Sequence, residues 1–362
     1  MLPIPKGYKK HFLEWLDSSS PNSKDYYQKI YDQEYIHCRK PIGCHSTPSS
    51  NFLKKHVSPE GFISIIPKGR VWGKDGAIIT PDHLVIAEFS HQSPHYLRIE
   101  KHPIFQQSSL SGPRRVNGNV AVITSVFNSN YYHWVFDVIA RIHLLQKSQI
   151  KIDQYIINGC KHRFQIEWLK LAGIPLNKVM IAHKDLHMEA TNLIVPSYDQ
   201  PVGHAAPWAI RYLMSLKDKI CISDNNPNSF PKRIYLDRSH KPYRKVSNNQ
   251  EVKRYLTGLG YKVMYPERFS IKQQIEFFSN IEAIVAPSGA ALTNLLFCKP
   301  KTKLLLFQPK GLEDVSYYII CNVLNVDYYL IEGTPTGNRA VLNQADMHIN
   351  MSKLKNLLKL MG

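Results

Sequence analysis

The sequence IEAIVAPSGAALTNLLFC, residues 281–298, combines an apolar strand, a loop and the start of a helix. Its apolar strand, Ala283–Ala286, is stopped by Pro287, which cannot donate a hydrogen bond to a sheet ladder. Gly289 has no side chain, so a ligand can approach the backbone closely there. A helix starting near Ala290 would direct its free N–H groups at an anion such as a diphosphate. Because the stretch lacks G-x-G-x-x-G and G-x-x-x-x-G-K, an ordinary strand-to-helix turn is an equal alternative.

Strands and helices alternate on both sides of this stretch. The S-x-x-Q capping box at Ser270–Gln273 marks the start of one helix, and Gly260 ends another. Short strands separated by helices predict a parallel, doubly wound sheet, since a parallel connection needs a crossover of about this length. The five predicted strands are Arg233–Leu236, Tyr261–Met264, Ala283–Ala286, Lys303–Phe307 and Tyr328–Ile331.

The first half of the chain predicts a small sheet followed by α/β alternation. Short β-type runs at Phe62–Ile66, Ala77–Thr80 and Leu84–Ala87 form the sheet, and the alternation begins at Val120–Thr124. The run SDNNPNSFPK after a helix at 207–220 cannot support a core element and marks a domain boundary. The predicted organisation is a polar arm or cap at 1–60, α/β domains at 61–222 and 223–335, and a helical tail at 336–362.

The charge balance points to an anionic partner. Lys and Arg outnumber Asp and Glu by 46 to 28, a formal net charge of +18. The cations are scattered and form no nucleic-acid-binding motif, so we expect no nucleic acid. With no apolar leader and no window long enough to cross a bilayer, we expect a cytoplasmic protein. Its basic surface could hold it at the inner, anionic face of a membrane.

Metals and disulfides are not expected. The six cysteines form no C-x-x-C pair, which favours buried thiols in a reducing compartment. His37-Cys38 and Cys44-His45 form a cluster, but its C-x5-C spacing favours loop residues over a zinc site. No D-x-D triplet is available to hold a metal on a nucleotide diphosphate. We therefore expect no cofactor.

Ligands of doubly wound sheets sit at the carboxyl ends of the strands, where three loops carry chemistry. Arg238 and Arg244 follow the strand at 233–236 and could clamp a diphosphate through paired N–H donors. Glu267 follows the next strand and could accept hydrogen bonds from ribose hydroxyls. The third loop is Pro287–Ala291. The alternatives are a solvated basic loop and an exposed glutamate. The joint occurrence of the three loops on one edge of the sheet favours a nucleotide site.

The helix within NYYHWVFDVIAR, residues 130–141, places His133, Asp137 and Arg141 at i, i+4 and i+8, on one polar stripe of a largely apolar helix. Two interpretations stay open. In one, Asp137 bridges His133 and Arg141 in a neutralised structural network. In the other, the stripe faces a cleft, where Asp137 orients His133 or is itself a base. Aromatic residues suited to stacking on sugar rings lie beside it: Tyr131, Tyr132 and Trp134.

With these motifs together, the chain resembles the glycosyltransferase 61 family of bacterial polysaccharide-synthesis proteins, plant xylosyl- and arabinosyltransferases and animal O-linked N-acetylglucosaminyltransferases. The resemblance runs from about Arg70 to Tyr329. The family pattern has a histidine before the glycine of the last motif, where this chain has Ser288. The motifs that carry it are NYYHWVFDVIAR at 130–141, YLDR at 235–238 with the later Arg244 and NNQEV at 248–252, PERFS at 266–270 and APSGAALTNLLFC at 286–298.

The resemblance implies a GT-B architecture, in which two Rossmann-like domains face each other across a cleft. It implies an inverting transfer without an obligatory metal. The second half would hold a nucleotide-diphosphate sugar, with uridine as the expected base, and the first half would bind a glycan or lipid-linked acceptor. The expected base is Asp137 or His133. The expected donor-binding residues are Arg238, Arg244, Glu267, Ser288, Gly289, Ala290, Ala291, Thr293 and Asn294, and the expected acceptor residues are Tyr132, Trp134 and Arg141.

Two other classes of protein also fit this sequence. A catalytically lapsed sugar-nucleotide-binding or assembly protein would keep the fold without turnover, and Ser288 is its best support. A basic nucleic-acid-binding protein would explain the net charge and predicts steeply salt-dependent binding.

Overall fold

The computed structural model of the protein describes residues 1–19, 23–43, 52, 55–90, 98–198, 205–220, 230–312, 314–337 and 341–362. The chain divides into two compact units. The first unit combines residues 1–34 with 58–213, and the second unit combines residues 35–57 with 214–362. No helix within these ranges is both long enough and apolar enough to cross a membrane.

The elements of the described ranges are as follows. The strands are β1 Gly7–Lys9, β2 Tyr27–Tyr31, β3 Glu34–His37, β4 Lys55–Ser58, β5 Gly61–Pro67, β6 Arg70–Trp72, β7 Ala77–Ile79, β8 Leu84–Ile86, β9 Arg114–Val122, β10 Gln154–Ile157, β11 Val179–Ile181, β12 His187–Pro196, β13 Arg233–Leu236, β14 Lys262–Met264, β15 Ala283–Pro287, β16 Lys303–Pro309, β17 Asp327–Thr336 and β18 Asp346–His348. The α-helices are α1 Phe12–Ser19, α2 Tyr131–His133, α3 Ala140–Ser148, α4 Arg163–Leu171, α5 Pro207–Ser215, α6 Asn249–Gly258, α7 Ile271–Phe278, α8 Ser316–Val323 and α9 Met351–Met361.

The first unit is built on one ten-stranded mixed sheet rather than on a small sheet followed by separate α/β material. Strands β1-β8-β7-β6-β12-β9-β10-β11 are neighbours in this order, and β5 joins β12 to β2. Strand β12 is ten residues long, which explains the difference. It pairs in parallel with β9 and antiparallel with β5 and β6, so it connects both halves. The unit therefore differs from a Rossmann-like domain in its antiparallel part.

The amino-terminal segment contributes core residues, contrary to the expectation of a polar arm. Phe12, Trp15 and Leu16 of α1 are buried in the core of the first unit. Their i, i+3, i+4 spacing forms an apolar stripe that the polar composition of the whole segment conceals. Strands β2 and β3 also lie within this segment.

The helix predicted within residues 130–141 is present but changes its winding. α2 continues into a π-helix, Trp134–Ile139, and then into α3. Asn130 caps the helix, since its side chain accepts a hydrogen bond from the Tyr132 amide. Wider π turns inside a helix occur frequently at functional sites. This one carries Asp137.

The second unit contains the parallel, doubly wound arrangement expected from the sequence. Its sheet has the order β14-β13-β15-β16-β17-β18, and all pairs are parallel except β17 with β18. The capping box between Ser270 and Gln273 is present at the start of α7. The tail at 336–362 contains β18 as well as α9, and α9 buries Leu354 and Leu358 in the core of this unit.

Candidate functional site

The order of the strands marks one edge of the second unit. The chain runs from β13 outward to β14 and then returns to β15 on the other side of β13. β13 and β15 are parallel neighbours, with Arg233 opposite Ala283 and Tyr235 opposite Val285. The loops that follow them therefore leave the sheet at a topological switch point, where ligands of doubly wound sheets bind.

Arg238 and Gly289 meet at this switch point. A Cβ added to Gly289 would lie 2.8 Å from Cζ of Arg238 and 3.3 Å from its Cδ. Gly289 is extended, with φ 178°, so this position does not need glycine for its backbone angle. It needs glycine because the guanidinium of Arg238 occupies the space of a side chain. The two loops expected to hold a diphosphate thus lie in contact.

A second guanidinium lies beside the first. Arg244, in the left-handed region with φ 57°, directs Nη1 to 3.4 Å from Oγ of Ser288. Burial, followed by the neighbouring charge of Arg244, lowers the pKa of Arg238 to about 10. Among the described residues neither arginine forms an ion pair with a carboxylate. Two adjacent cations without an acid are the arrangement that an anion would neutralise.

Three buried donors at this point have no hydrogen-bond partner within the described ranges: Nε of Arg238, Nε of Arg244 and Oγ1 of Thr293. Leaving a buried donor unpaired costs about 1–3 kcal/mol, so such a group indicates a missing partner. The run expected to be a helix from Ala290 is a 3₁₀-helix, Ala290–Phe297. Its first amides, those of Ala290 and Ala291, have no acceptor within the helix. We call Arg238, Arg244, Thr293 and the amides of Gly289–Ala291 the anion seat.

Three other residues support this seat from behind. Ser288 is fully buried, and its amide donates to the carbonyl of Phe307, 2.9 Å away, as part of the sheet. Asn294 is also fully buried and donates to Oε1 of Gln274 at 2.8 Å. The hydroxyl of Tyr317 donates to the carbonyl of Gly289 at 2.7 Å. Asn294 therefore holds the loop in place, whereas the sequence suggested contact with the donor.

Asp237, between β13 and Arg238, is a site residue that the sequence analysis did not assign. Its side chain is fully buried and accepts hydrogen bonds from the amide and hydroxyl of Ser239 and from three other side chains. Burial raises the pKa of Asp237, but these bonds outweigh burial and hold the pKa below its usual value. The other donors are Lys253 at 3.1 Å, Asn249 at 3.1 Å and Tyr265 at 2.8 Å. The sequence feature that marks Asp237 as a site residue is its position between the end of a strand and two arginines.

Glu267 lies in the 3₁₀-helix Pro266–Arg268 and binds the same basic loop. One carboxylate oxygen is 2.6 Å from Nε2 of His240 and 2.6 Å from Nζ of Lys241. Burial raises the pKa of Glu267, but the hydrogen bond from Lys241 contributes most to holding it below its usual value. Glu267 is thus engaged with two side chains of the loop, rather than standing alone as an exposed acceptor.

In the first unit, His133 and Asp137 form the pair that their spacing predicts. Nδ1 of His133 is 2.9 Å from Oδ2 of Asp137. The same oxygen accepts a hydrogen bond of 3.1 Å from the hydroxyl of Ser125. Ser125 is held in turn by Asn158, whose amide group bonds to both its N–H and its carbonyl. Ser125 and Asn158 follow the parallel strands β9 and β10. Residues that follow parallel strands lie at the edge of the sheet where ligands bind, and this position in the sequence is the feature that marks them.

This pair remains accessible. The side chains of His133 and Asp137 are 19% and 14% exposed. The ring of Phe127 lies against His133, with centroids 4.6 Å apart. With Nδ1 directed to the carboxylate, Nε2 of His133 is the nitrogen that can exchange a proton with another group. The geometry fits a carboxylate-oriented histidine or a carboxylate base.

The expected acceptor residues require correction. Arg141 is buried and donates to backbone carbonyls, including Pro196 at 2.8 Å, Thr124 at 3.1 Å and Val122 at 3.2 Å. It therefore does not reach the carboxylate of Asp137, and the bridged network of one interpretation is absent. Trp134 has no exposed surface, so its ring cannot stack on a sugar. Tyr132 is 6% exposed and packs on Phe136.

The cysteine–histidine cluster cannot be followed, since Cys44 and His45 lie outside the described residues. Within those residues, no group of three or more His, Cys, Asp or Glu side chains could hold a metal ion.

A parallel sheet with an anion seat at its switch point is typical of α/β proteins that bind nucleotide phosphates. A family model described as Glycosyltransferase 61 matches residues 131–305. This match, over residues 131–305, supports the family resemblance that the motifs suggested. The match begins at the first residue of α2 and ends within β16, so it includes His133, Asp137 and the anion seat. No curated protein matches the chain. The family match suggests glycosyltransferase activity in general, with a sugar donor and a glycan acceptor.

Proposed function

We propose that the protein is an inverting, metal-independent glycosyltransferase that uses a nucleotide-diphosphate sugar. The proposed acceptor is a hydroxyl of a bacterial surface polysaccharide, such as capsule or lipopolysaccharide, or of a lipid-linked glycan. The observation that carries this proposal is the contact of Arg238 with Gly289 at the switch point of the second unit, surrounded by unpaired donors. The family match supports a sugar as the transferred group, and the anion seat supports a diphosphate as the leaving group.

The anion seat would bind the diphosphate and stabilise it as it leaves. Cleavage of the bond between the sugar and the diphosphate places negative charge on the leaving oxygen. Arg238, Arg244 and the amides of Gly289–Ala291 would neutralise that charge without a metal ion. Uridine is the proposed base, because the family resemblance implies it. The donor nucleotide is a substrate, and no further cofactor is proposed.

The His133–Asp137 pair would remove the proton from the attacking hydroxyl. The oxygen then forms a bond to the anomeric carbon while the bond to the diphosphate breaks on the opposite face, which inverts the carbon. Asp137 acts as the base directly or orients His133 for this role. The GT-B arrangement and a cytoplasmic location, peripheral at the inner membrane face, belong to the same proposal and rest on the family resemblance and the basic composition.

The test is a panel of sugar nucleotides, in which binding and release of nucleoside diphosphate are both measured. An active enzyme binds one of them and releases its nucleoside diphosphate, faster when the acceptor is present. We expect Asp137→Asn to bind the donor normally and to lower turnover by roughly 10²-fold or more. If Asp137→Asn and His133→Ala both turn over near the wild-type rate, the assigned base is wrong.

A second function is favoured by one residue. Ser288 stands where the family pattern has a histidine, so a protein that binds the sugar nucleotide without transferring it is the alternative candidate. In the panel, this protein would bind a donor but release no nucleoside diphosphate with any acceptor. Absence of both binding and release would instead contradict both functions and favour a different anionic partner.

A further inference from the structure

A second basic site lies at the opposite edge of the same sheet, where β13, β15 and β16 begin. A cavity of about 260 Å³ opens between these strand ends and the carboxyl end of α9. This volume is several times the roughly 30 Å³ that a water molecule occupies in the liquid. Five cations line it: Lys232, Arg233, Lys299, Lys301 and Lys303.

Only part of this positive charge is neutralised by the protein. Glu282 lines the cavity and pairs with Lys232 at 3.3 Å. Arg233 donates to an oxygen of Gly362 at 3.0 Å, and Lys303 donates to the carbonyl of Met361, which carries no charge. Asp327, beside the lining, pairs with Lys301 at 3.6 Å. With Glu282, Asp327 and the carboxyl group of Gly362 counted as anions, three anions face the five lining cations. The remaining net charge of +2 around one cavity favours a ligand with negative charge.

Two exposed aliphatic side chains belong to segments near the cavity. Leu360, two residues before Gly362, is 59% exposed, although Leu357, Leu358 and Met361 of α9 are buried in the core. A Cβ added to Gly43 would lie 3.4 Å from Cδ1 of Leu360, so the segment carrying Ile42 lies next to it. Ile42 is itself 39% exposed. Exposed aliphatic side chains beside a cluster of cations are typical of surfaces that contact a lipid headgroup and the upper acyl region together.

We infer that this edge of the second unit, which we call the amino-edge site, binds the phosphate headgroup of an anionic membrane lipid. The cavity would take the phosphate group, with the exposed lysines Lys232, Lys299 and Lys301 as its donors. Leu360 and Ile42 would enter the interface. The inference goes beyond the proposed glycosyl transfer, because it uses the edge of the sheet opposite to the anion seat and none of its residues.

The test is flotation of the full-length protein with vesicles of phosphatidylcholine, alone or with a fraction of phosphatidylglycerol. The variant is Lys232→Ala/Lys299→Ala/Lys301→Ala, whose lysines are exposed. A cation near an anionic membrane surface contributes about fivefold to binding, so the loss of three lysines is expected to weaken binding on the order of 100-fold. Its matched control is Lys161→Ala/Lys170→Ala/Lys184→Ala, which removes the same net charge from exposed lysines of the first unit.

The control variant should bind nearly as well as the wild type, and neither should bind pure phosphatidylcholine. Equal losses in both triple variants would overturn the inference, because net charge alone would then explain binding. The absence of wild-type binding to anionic vesicles would also overturn the inference. Calorimetry with inorganic pyrophosphate separates a soluble ligand: pyrophosphate binding that the site variant loses, without vesicle binding, would contradict the lipid.

A single substitution tests the apolar part independently of charge. Leu360→Ser leaves all cations in place and alters a side chain that is already mostly exposed, so folding should be retained. We expect about fivefold weaker binding to anionic vesicles, because one aliphatic side chain no longer enters the interface. Unchanged binding of this variant would show that only the cations contact the vesicle. It would contradict the proposal that Leu360 enters the membrane interface.

Discussion

The contact between Gly289 and Arg238 makes Gly289→Ala the most informative single change. The added methyl group would occupy the position of the Arg238 guanidinium, since its carbon would lie 2.8 Å from Cζ. The backbone itself tolerates alanine, because φ is 178°. The far end of a flexible side chain is therefore the part that moves. We expect the fold to survive and the anion seat to lose one arginine.

The magnitude follows from the bonds that Arg238 would make to a diphosphate. Hydrogen bonds between charged groups contribute about 1.5–3 kcal/mol, which corresponds to roughly a 10- to 150-fold change in affinity. We expect the KM for the sugar nucleotide to rise within this range and the melting temperature to change little. The loss should exceed that of a neutral hydrogen bond, because burial beside Arg244 leaves the Arg238 charge poorly solvated.

The measurement is donor saturation kinetics together with thermal unfolding, for the wild type, Gly289→Ala and a matched control. The control is Gly258→Ala: no atom lies within 4 Å of its added carbon, and it ends helix α6. Alanine there should leave KM unchanged and stabilise the helix slightly. A Gly289→Ala protein with wild-type KM would refute the argument that the arginine at this position binds the donor.

Three further predictions concern stability. Asp237→Asn should lower the free energy of unfolding by about 3 kcal/mol at neutral pH in urea titrations. The pKa of Asp237 is lower in the folded protein than in the unfolded chain. The stability difference between the wild type and Asp237→Asn should therefore shrink as the pH falls from the unfolded pKa through the folded pKa. A difference that stays constant with pH would contradict this prediction. Burial lowers the pKa of His143 to about 4, so the unfolded chain binds its proton more readily. Stability should thus fall by up to ~3 kcal/mol from about pH 6.5 to 4, and His143→Gln should lose this slope. Arg141→Met should cost at least ~3 kcal/mol in the same titrations without altering donor KM, and a specific rise in KM would refute its structural role.

The second unit was largely predictable because its local signals are strong. Proline or charged residues bound each strand, and the capping box at Ser270–Gln273 fixes the start of α7. The position of the anion seat followed from the rule that loops after parallel strands share an edge. The contact of Arg238 with Gly289 could not be predicted, because fifty residues separate the two and no local pattern relates them.

The first unit was harder to predict, for reasons that particular residues illustrate. A polar stripe on an apolar helix does not reveal whether its members bond to one another, to the backbone or to a ligand. Asp137 and His133 do bond to each other, whereas Arg141 turns to carbonyl groups of other segments. Strand β12 pairs in parallel and antiparallel along its length, so the antiparallel strands join the α/β part. Such pairing depends on distant residues and leaves no periodic signal.

Binding of the donor diphosphate to the anion seat can be measured by calorimetric titration with nucleoside diphosphates. We expect saturable binding of at least one nucleoside diphosphate, with one site per chain. We expect Arg238→Ala/Arg244→Ala to abolish this binding, while the amino-edge variant Lys232→Ala/Lys299→Ala/Lys301→Ala retains it. Wild-type affinity in the double arginine variant would show that the diphosphate does not bind at the anion seat.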